Sequence, residues 1–244
     1  MQAVKTVSSP YNDVTIWKTA DGYDFEVAGG THATWQRSRI LTGYIWDALT
    51  AAVLLHNGPP SKRILLLGFG GGTVVRQIMH FLPEAHVTAL EIDPMMIELA
   101  NTYMGASTLG AQILLGDGYT FAAQSRPIFD VVLDDIFVGL QTGVTRPAPL
   151  QGKTMQDTLR CLKPGGLYIA NMITGKETHA AVQSTKLAFR EQFAEQNQIR
   201  PAKGFNIGLM GGVIKQRETL RNYTALLHNP EDRRDWQNIR VRSF

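Results

Sequence analysis

The chain has 244 residues but only one cysteine, a small excess of positive charge and no long apolar run. Because Cys161 stands alone, an intramolecular disulfide and a cysteine-cluster metal site are excluded, and no metal is expected. Its apolar, helical surroundings predict a thiol of the core rather than a nucleophile. No stretch reaches membrane-spanning length, and the start of the chain lacks the apolar centre of a secretion signal. We therefore expect a cytoplasmic protein with no membrane partner.

The net charge of +3 is too small and too scattered to indicate nucleic-acid binding. The densest basic stretch lies near the C-terminus, and acidic residues are interspersed with it. Such a mixture of charges predicts a solvated tail. The basic residues are Arg233, Arg234, Arg240 and Arg242, and the acidic ones are Glu231, Asp232 and Asp235.

Five short apolar runs with little polar alternation dominate the middle of the sequence. They lie at 63–68, 86–91, 111–116, 129–135 and 166–172, and the intervals between them are long enough for helices. Strands buried on both faces have this pattern, so it predicts an α/β fold with a doubly wound, mostly parallel sheet. The predicted helices cover 72–81, 94–104, 117–124, 151–162 and 177–195, and residues 205–214 and 222–228 supply a final pair of strands.

Residues 13–36 have a different pattern, with two or three short strands and a turn signal at Asp21-Gly22. Apolar residues then recur at helical spacing from Arg39 to His56, before a Gly-Pro-Pro stop. We therefore divide the chain into a small N-terminal antiparallel β segment, residues 1–38, and a Rossmann-like domain, residues 39–244.

The strongest local signal is a glycine-rich turn from Gly68 to Gly72, between an apolar strand and a predicted helix. Glycine lets the backbone turn tightly and approach a ligand closely, and a helix N-terminus presents free N–H groups. By itself this turn is also compatible with plain packing of a strand against a helix.

Acidic residues close the next three predicted strands. Glu91 ends the second strand, where a carboxylate can accept hydrogen bonds from both hydroxyls of a ribose. Asp117 follows the third strand, where its carboxylate can accept a hydrogen bond from the exocyclic amine of adenine. Asp134-Asp135 ends the fourth strand. All of them belong to the carboxyl edge of the sheet, where open α/β sheets bind ligands.

The order and spacing of these motifs resemble the class I S-adenosylmethionine (SAM)-dependent methyltransferase fold, and more narrowly its spermidine synthase (aminopropyltransferase) branch. The narrower likeness rests on residues 91–94, residues 116–119 and Ser9-Pro10-Tyr11-Asn12. It implies that Asp135 is the catalytic residue, which orients and deprotonates an attacking amine. The SAM site that it implies consists of Gly68, Phe69, Gly70, Gly71, Gly72, Glu91, Ile92, Asp117, Gly118 and Asp135.

Several positions depart from the family pattern in ways that bear on the substrates. Gly71 and Val138 stand where the family has aspartates, and acidic positions are also lost within residues 28–43. Because a buried ammonium needs a carboxylate, we do not expect putrescine to bind as it does in the family. An aspartate at position 71 would repel the carboxylate of SAM, so Gly71 points to SAM rather than its decarboxylated form.

We therefore expect a transferase that uses SAM and a small-molecule acceptor, with methyl transfer as the main reaction. One alternative is attack on the γ-carbon of SAM with release of methylthioadenosine, by 3-amino-3-carboxypropyl transfer or by cyclisation to azetidine-2-carboxylate. A second is aminopropyl transfer from decarboxylated SAM, and a third is an inactive SAM-binding module. A homodimer is left open.

Some residues have competing interpretations. Only one of Asp134 and Asp135 can face a ligand, since adjacent strand residues face opposite sides, and the family register favours Asp135. Asp93-Pro94 is predicted to cap and begin a helix. Five residues are interpreted mainly as packing residues: His32, Trp35, Tyr44, Trp46 and Phe137. The alternative for His32 and Tyr44 is a place in the lining of the acceptor pocket, and for Phe137 it is a cation–π contact with a sulfonium. Asn171 can serve either a substrate or the backbone.

Overall fold

A computed structural model describes residues 1–140 and 143–244. The chain begins with a small antiparallel sheet. Its strands are β1 (Gln2–Ser8), β2 (Asp13–Lys18), β3 (Gly22–Val27) and β4 (Gly30–Gln36), hydrogen-bonded in that order. The predicted Asp21-Gly22 turn joins β2 to β3. Alternation buries Val14 and Ile16 of β2, so this sheet packs its apolar face against the rest of the molecule.

The main sheet has eight strands, and five of them, β11-β8-β5-β6-β7, run parallel. In chain order they are β5 (Arg63–Leu67), β6 (His86–Glu91), β7 (Gln112–Leu115), β8 (Phe129–Asp134) and β11 (Leu162–Met172), then the antiparallel β12 (Gln196–Arg200), β13 (Ile207–Gly211) and β14 (Arg240–Ser243). A hairpin of β9 (Val138–Leu140) and β10 (Gly143–Thr145) precedes β11.

In residues 1–140 and 143–244, seven α-helices accompany the sheet. They are α1 (Ile45–Leu55), α2 (Thr73–Phe81), α3 (Pro94–Met104), α4 (Gly118–Gln124), α5 (Gly152–Leu159), α6 (His179–Gln192) and α7 (Pro230–Gln237). Successive residues of β5 enter different clusters: Ile64 and Leu66 pack with α1, α2 and α3, whereas Leu65 and Leu67 pack with α4, α5 and α6. The two buried faces explain the non-alternating apolar runs, and the predicted α/β fold is confirmed.

The strand order creates a switch point beside β5. The chain runs from β5 outward to β6 and β7, then returns to place β8 on the opposite side of β5. Connections leave the sheet in different directions there, which opens a crevice above the carboxyl ends of the strands. The fold therefore locates a ligand site between the ends of β5 and β8.

The predicted final strand over residues 222–228 is wrong. Arg217–Leu226 is a 3₁₀ helix, and the strand next to β13 is β12, whose sequence is mostly polar. The apolar residues at 222–228 suggested a strand, but Leu227 is buried in the core and Tyr223 packs edge-on against Phe81. In both segments, tertiary packing therefore overrides the secondary structure that the local sequence pattern favours.

The predicted solvated C-terminal tail is wrong in part. Residues 230–243 form α7 and β14, and the acidic residues of α7 bind a single distant arginine. Arg39 donates to Asp232 Oδ1 at 2.8 Å, to Asp235 Oδ2 at 2.6 Å and to Glu231 Oε2 at 2.8 Å. Asp232 and Asp235 are buried. Asp232 and Asp235 are therefore docking contacts of the last helix, whereas the basic residues of this stretch are exposed. The exposed basic residues are Arg233, Arg234, Arg240 and Arg242.

Replacing Arg39 with methionine is expected to lower the free energy of unfolding by about 2 kcal/mol, because two buried carboxylates lose charge-assisted hydrogen bonds. Lys203 still binds Asp235, which limits the loss. Urea denaturation measures the change. Arg242→Met is the control, since Arg242 is exposed and has no ion pair among the described residues. Equal stabilities of the two variants would contradict docking by Arg39.

Among the described residues, no helix combines the length and apolar character needed to cross a membrane.

Candidate active site

A cavity of about 420 Å³ opens at the switch point. Its floor consists of residues at the carboxyl ends of β5, β6, β7, β8 and β11. The N-terminal sheet contributes Thr31 and His32 of β4 to the wall and Tyr11 and Asn12 of its β1–β2 loop, and the β9–β10 hairpin contributes Val138. The cavity therefore lies beneath two segments that are not part of the main sheet.

The glycine turn adopts backbone angles that favour glycine. Gly68, Gly70 and Gly72 have φ values of 87°, 56° and 83°. A Cβ atom on Gly68 would lie 2.5 Å from the carbonyl oxygen of Asp135, which is too close for any side chain. Gly68 is therefore required by the close approach of β5 to the end of β8, and Gly68, Phe69 and Gly70 all line the cavity.

Gly71 and Gly72 are not among the residues that line the cavity. A Cβ atom on Gly71 would lie 2.3 Å from Ala33 Cβ and 2.6 Å from Met104 Sδ. An aspartate at position 71 would thus collide with the N-terminal sheet instead of extending toward a ligand. Packing therefore requires this glycine whichever donor binds, and Gly71 gives no support to the expectation that the donor is SAM.

Glu91 is buried and uses both carboxylate oxygens to hold the backbone beside the cavity. Its Oε2 accepts from the Gly70 N–H at 2.8 Å and its Oε1 from the Asp93 N–H at 3.0 Å. Burial raises the pKa of Glu91, and these two hydrogen bonds oppose the rise. Glu91 lines the cavity as well. A Glu91 substitution therefore changes the glycine turn together with any ligand contact.

Asp93 caps α3, as predicted, and also holds the β1–β2 loop beside the cavity. Its Oδ1 accepts from the Met95 N–H at 3.0 Å, which is the cap. Its Oδ2 accepts from Ser9 Oγ at 2.6 Å and from Asn12 Nδ2 at 3.1 Å. Asn12 is thereby held in the cavity wall.

Asp117 lies at the N-terminus of α4, where Oδ1 accepts from the Thr120 N–H at 2.6 Å. It is exposed and lines the cavity together with its neighbour Gly118 and with Ile92. Because asparagine caps helices about as well as aspartate, this position can lose its charge without losing the cap. Asp117 is therefore a better test of ligand binding than Glu91.

Asp117→Asn is expected to weaken binding of an adenosyl ligand by about 1–3 kcal/mol, since the amide cannot keep the cap and still offer a carboxylate oxygen to the adenine amine. Calorimetry with SAM and with methylthioadenosine measures the loss. Glu98→Gln is the control, because Glu98 is exposed on α3 and does not line the cavity. Equal affinities of the two variants would show that Asp117 does not contact the ligand.

Asp134 and Asp135 face different surroundings. Asp134 is fully buried, with Oδ1 2.6 Å from Arg146 Nη1 and Oδ2 2.9 Å from the hydroxyl of Tyr168. Asp135 lines the cavity, and its Oδ1 accepts from Asn171 Nδ2 at 2.6 Å. Desolvation raises the pKa of Asp135 to about 7, while Asn171 and Arg146 oppose the rise. Asp135 is thus a carboxyl group that can exchange a proton near neutral pH.

Arg146 connects the hairpin to the floor of the cavity, and sequence analysis missed it. Besides the carboxylate of Asp134, its guanidinium donates to the backbone oxygens of Asp134 at 3.0 Å and Asn171 at 2.5 Å. It also lies 4.9 Å from the ring centroid of Phe137. The sequence carried one signal for it: a carboxylate at the end of an apolar strand needs a buried cation.

The remaining candidates divide between the cavity and the core. Trp46, Phe137 and Asn171 line the cavity, whereas Trp35 and Tyr44 do not. His32 lines it too, and burial lowers the pKa of His32 to about 4, so its imidazole is neutral. Asn206, which the sequence did not single out, donates to Asn171 Oδ1 at 3.0 Å. Phe137 contacts Arg146, so its predicted contact with a sulfonium stays a prediction.

A doubly wound sheet with a glycine turn after its first parallel strand, and carboxylates after the next three, is typical of SAM-dependent transferases. Residues 47–202 match the family model of the spermine/spermidine synthase domain. The chain therefore belongs to the spermine/spermidine synthase family, and the predicted aminopropyltransferase-like branch is confirmed.

The chain is also similar to individual proteins of known sequence or structure. The chain is 26% identical over 176 residues to a polyamine aminopropyltransferase of Caldicellulosiruptor saccharolyticus, an alignment that covers 69% of the chain and 60% of that protein. A probable spermidine synthase of Corynebacterium glutamicum has the same fold, with a TM-score of 0.75, 20% identity and coverage of 93% and 87%. Human methyltransferase-like protein 13, in complex with SAH, is similar with a TM-score of 0.62, 21% identity and coverage of 79% and 91%. The chain spans about half the length of the curated relatives that it matches.

Proposed function

We propose that the protein transfers an alkyl group from an adenosyl sulfonium to the nitrogen of an amine, with Asp135 as the general base. The observation that carries this proposal is the carboxyl group of Asp135, which lines the cavity at the switch point and has a pKa of about 7. An amine is protonated near neutral pH and attacks only after it loses a proton. A carboxylate with a matched pKa at the reacting edge can accept that proton.

The proposed donor site is the half of the cavity over β5, β6 and β7. There the glycine turn lines the cavity, Glu91 and Asp117 offer carboxylate oxygens, and Asn12 Oδ1 is buried without a partner among the described residues. A ribose hydroxyl is a suitable donor to such an oxygen. The SAH bound by human methyltransferase-like protein 13 supports an adenosyl ligand.

The transferred group is proposed to be aminopropyl, from decarboxylated SAM. The family assignment and the aminopropyltransferase relative favour it over the methyl transfer expected from the sequence. The charge of the cavity agrees: its described lining residues include the carboxylates of Glu91, Asp117 and Asp135 but no lysine or arginine. Such a lining suits a donor with a sulfonium and an ammonium better than one that also carries a carboxylate.

Methyl transfer from SAM is the second candidate, supported by the methyltransferase among the structural neighbours. The boundary at residue 38, the cytoplasmic location and the homodimer stay predictions.

The test is incubation of the purified protein with each donor and a panel of amines, followed by mass spectrometry of both products. Methylthioadenosine formed from decarboxylated SAM together with an aminopropylated amine supports the proposal. S-adenosylhomocysteine formed from SAM supports the second candidate, and methylthioadenosine formed from SAM alone supports γ-carbon chemistry. If the protein binds neither donor in calorimetry, then aminopropyl transfer, methyl transfer and γ-carbon chemistry are all excluded.

A further inference from the structure

The strand order separates the cavity into a donor half and an acceptor half. Glu91 and Asp117 follow β6 and β7, on one side of β5. Asp135 follows β8 on the other side, beside Asn171 of β11 and Asn206, which precedes β13. Neighbouring strands lie about 4.8 Å apart, so the ends of β6 and β8 are separated by about 10 Å. An acceptor that reaches Asp135 therefore lies over β8, β11 and β13.

Within the part of the chain that the structure describes, the acceptor half contains a single carboxylate. Among the described residues that line it, Asp135 is the acidic one, and the polar side chains beside it are the amides of Asn171 and Asn206. His32 is neutral, and its Nε2 has no hydrogen-bond partner among the described residues.

The rest of this half is apolar. Trp46 of α1 and Phe137, Ile173 and Phe205 line it, and Phe205 is 64% exposed. Phe205 therefore presents an apolar ring at the outer rim. An apolar substrate body gains from contact with such a wall, whereas a charged group next to it loses water without compensation.

We infer that the acceptor is a monoamine with an apolar body, and not a diamine. The inference rests on the proposed function. An ammonium at Asp135 has a partner of opposite charge, but the second ammonium of a diamine would be held between amides and aromatic rings. A decarboxylated donor adds a sulfonium and an ammonium of its own, which makes a further positive charge in the cavity more costly.

The atoms and charges of the transfer balance with a monoamine as the acceptor. The ammonium of the acceptor gives one proton to the Asp135 carboxylate and becomes a neutral amine. Its lone pair forms the new N–C bond, the C–S bond breaks, and its electron pair stays on sulfur as a neutral thioether. The product is a secondary ammonium, and the proton on Asp135 leaves to solvent.

The test compares hexylamine with hexamethylenediamine, which differ by one terminal ammonium and have the same chain length. With the better donor, kcat/KM for hexylamine is expected to exceed that for the diamine by about 10-fold or more. A diamine that reacts as well as the monoamine, or better, overturns the inference while the proposed function stands.

Binding is measured in parallel by calorimetry on the protein saturated with methylthioadenosine. Tighter binding of hexylamine than of the diamine supports the acceptor class even if neither amine is alkylated, in which case only the proposed function fails. Tighter binding of the diamine, or no binding of either amine, overturns the inference.

A rim variant tests the apolar wall. Phe205→Ser is expected to lower kcat/KM for hexylamine by about 10-fold and to change that for ethylamine much less, because a short amine does not extend to the rim. Leu187→Ser is the control, since Leu187 is 56% exposed on α6 and does not line the cavity. Equal effects of Phe205→Ser on the two amines overturn the assignment of the apolar body to this wall.

Discussion

Asp135→Asn is expected to lower the single-turnover rate of product formation by about 100- to 10,000-fold, the range over which a general base contributes. The asparagine keeps the shape of the side chain and its contact with Asn171 but cannot accept the proton of the amine. The affinity for the donor should change little. In the wild-type protein the same rate should rise with pH through about 7, the pKa of Asp135, because the base is the ionised form.

The stability of this variant provides the decisive control. Burial raises the pKa of Asp135 from 3.8 to about 7, so the folded state holds its proton more tightly than the unfolded state does. The contribution of Asp135 to the free energy of unfolding therefore falls as pH rises from about 4 to 7, and it is lowest above pH 7. Asp135→Asn removes that cost, and its melting temperature at pH 8 should equal or exceed that of the wild type. A well-folded variant with normal turnover would exclude Asp135 as the base.

Asp134→Asn is expected to do the opposite, with a loss of about 3–5 kcal/mol in the free energy of unfolding, because the guanidinium of Arg146 loses its buried counter-charge. The Arg146 side chain is only 9% exposed, so water cannot replace the carboxylate. Urea denaturation measures the loss. Asp157→Asn is the matched control, since Asp157 pairs with Lys153 on the surface and should contribute little.

A double variant separates the charge from the shape of this pair. Arg146→Met in the Asp134→Asn background removes the unpaired cation, so the double variant should be more stable than Asp134→Asn alone. If the second substitution instead adds its full loss to the first, the two residues act independently and the ion pair is not the source of the effect.

The sequence predicted β5, β6, β7 and β8 and the helices α2, α3 and α4 to within a residue or two at each end, because those features depend on local periodicity. The fifth parallel strand, β11, begins four residues before its predicted start. Runs buried on both faces identify the strands, and Asp93-Pro94 and Asp117 mark two helix starts. β12 was missed because Gln196, Asn197 and Gln198 carry no apolar pattern. Its place in the sheet depends on its neighbours β13 and β14.

The site was predicted in part for the same reason. Asp135 and Asn171 stand at strand ends, and strand ends can be found from the pattern. Arg146 and Asn206 lie in loops, so nothing near them in the sequence shows that they meet Asp134 and Asn171. Gly71 was misinterpreted because the direction of its missing side chain depends on the N-terminal sheet, which contacts it only in the folded molecule.

The contact between Arg39 and α7 also bears on how the molecule folds. Arg39 and Asp232 are 193 residues apart, so the loop that this contact closes includes the whole parallel sheet. Contacts of such sequence separation form late, because the chain entropy of closing the loop is lost before the contact stabilises anything. During synthesis, Arg39 leaves the ribosome long before its partners do. We therefore expect the N-terminal sheet and the parallel strands to form first. The part of the cavity wall that α1 contributes becomes fixed only when α7, the last helix, docks.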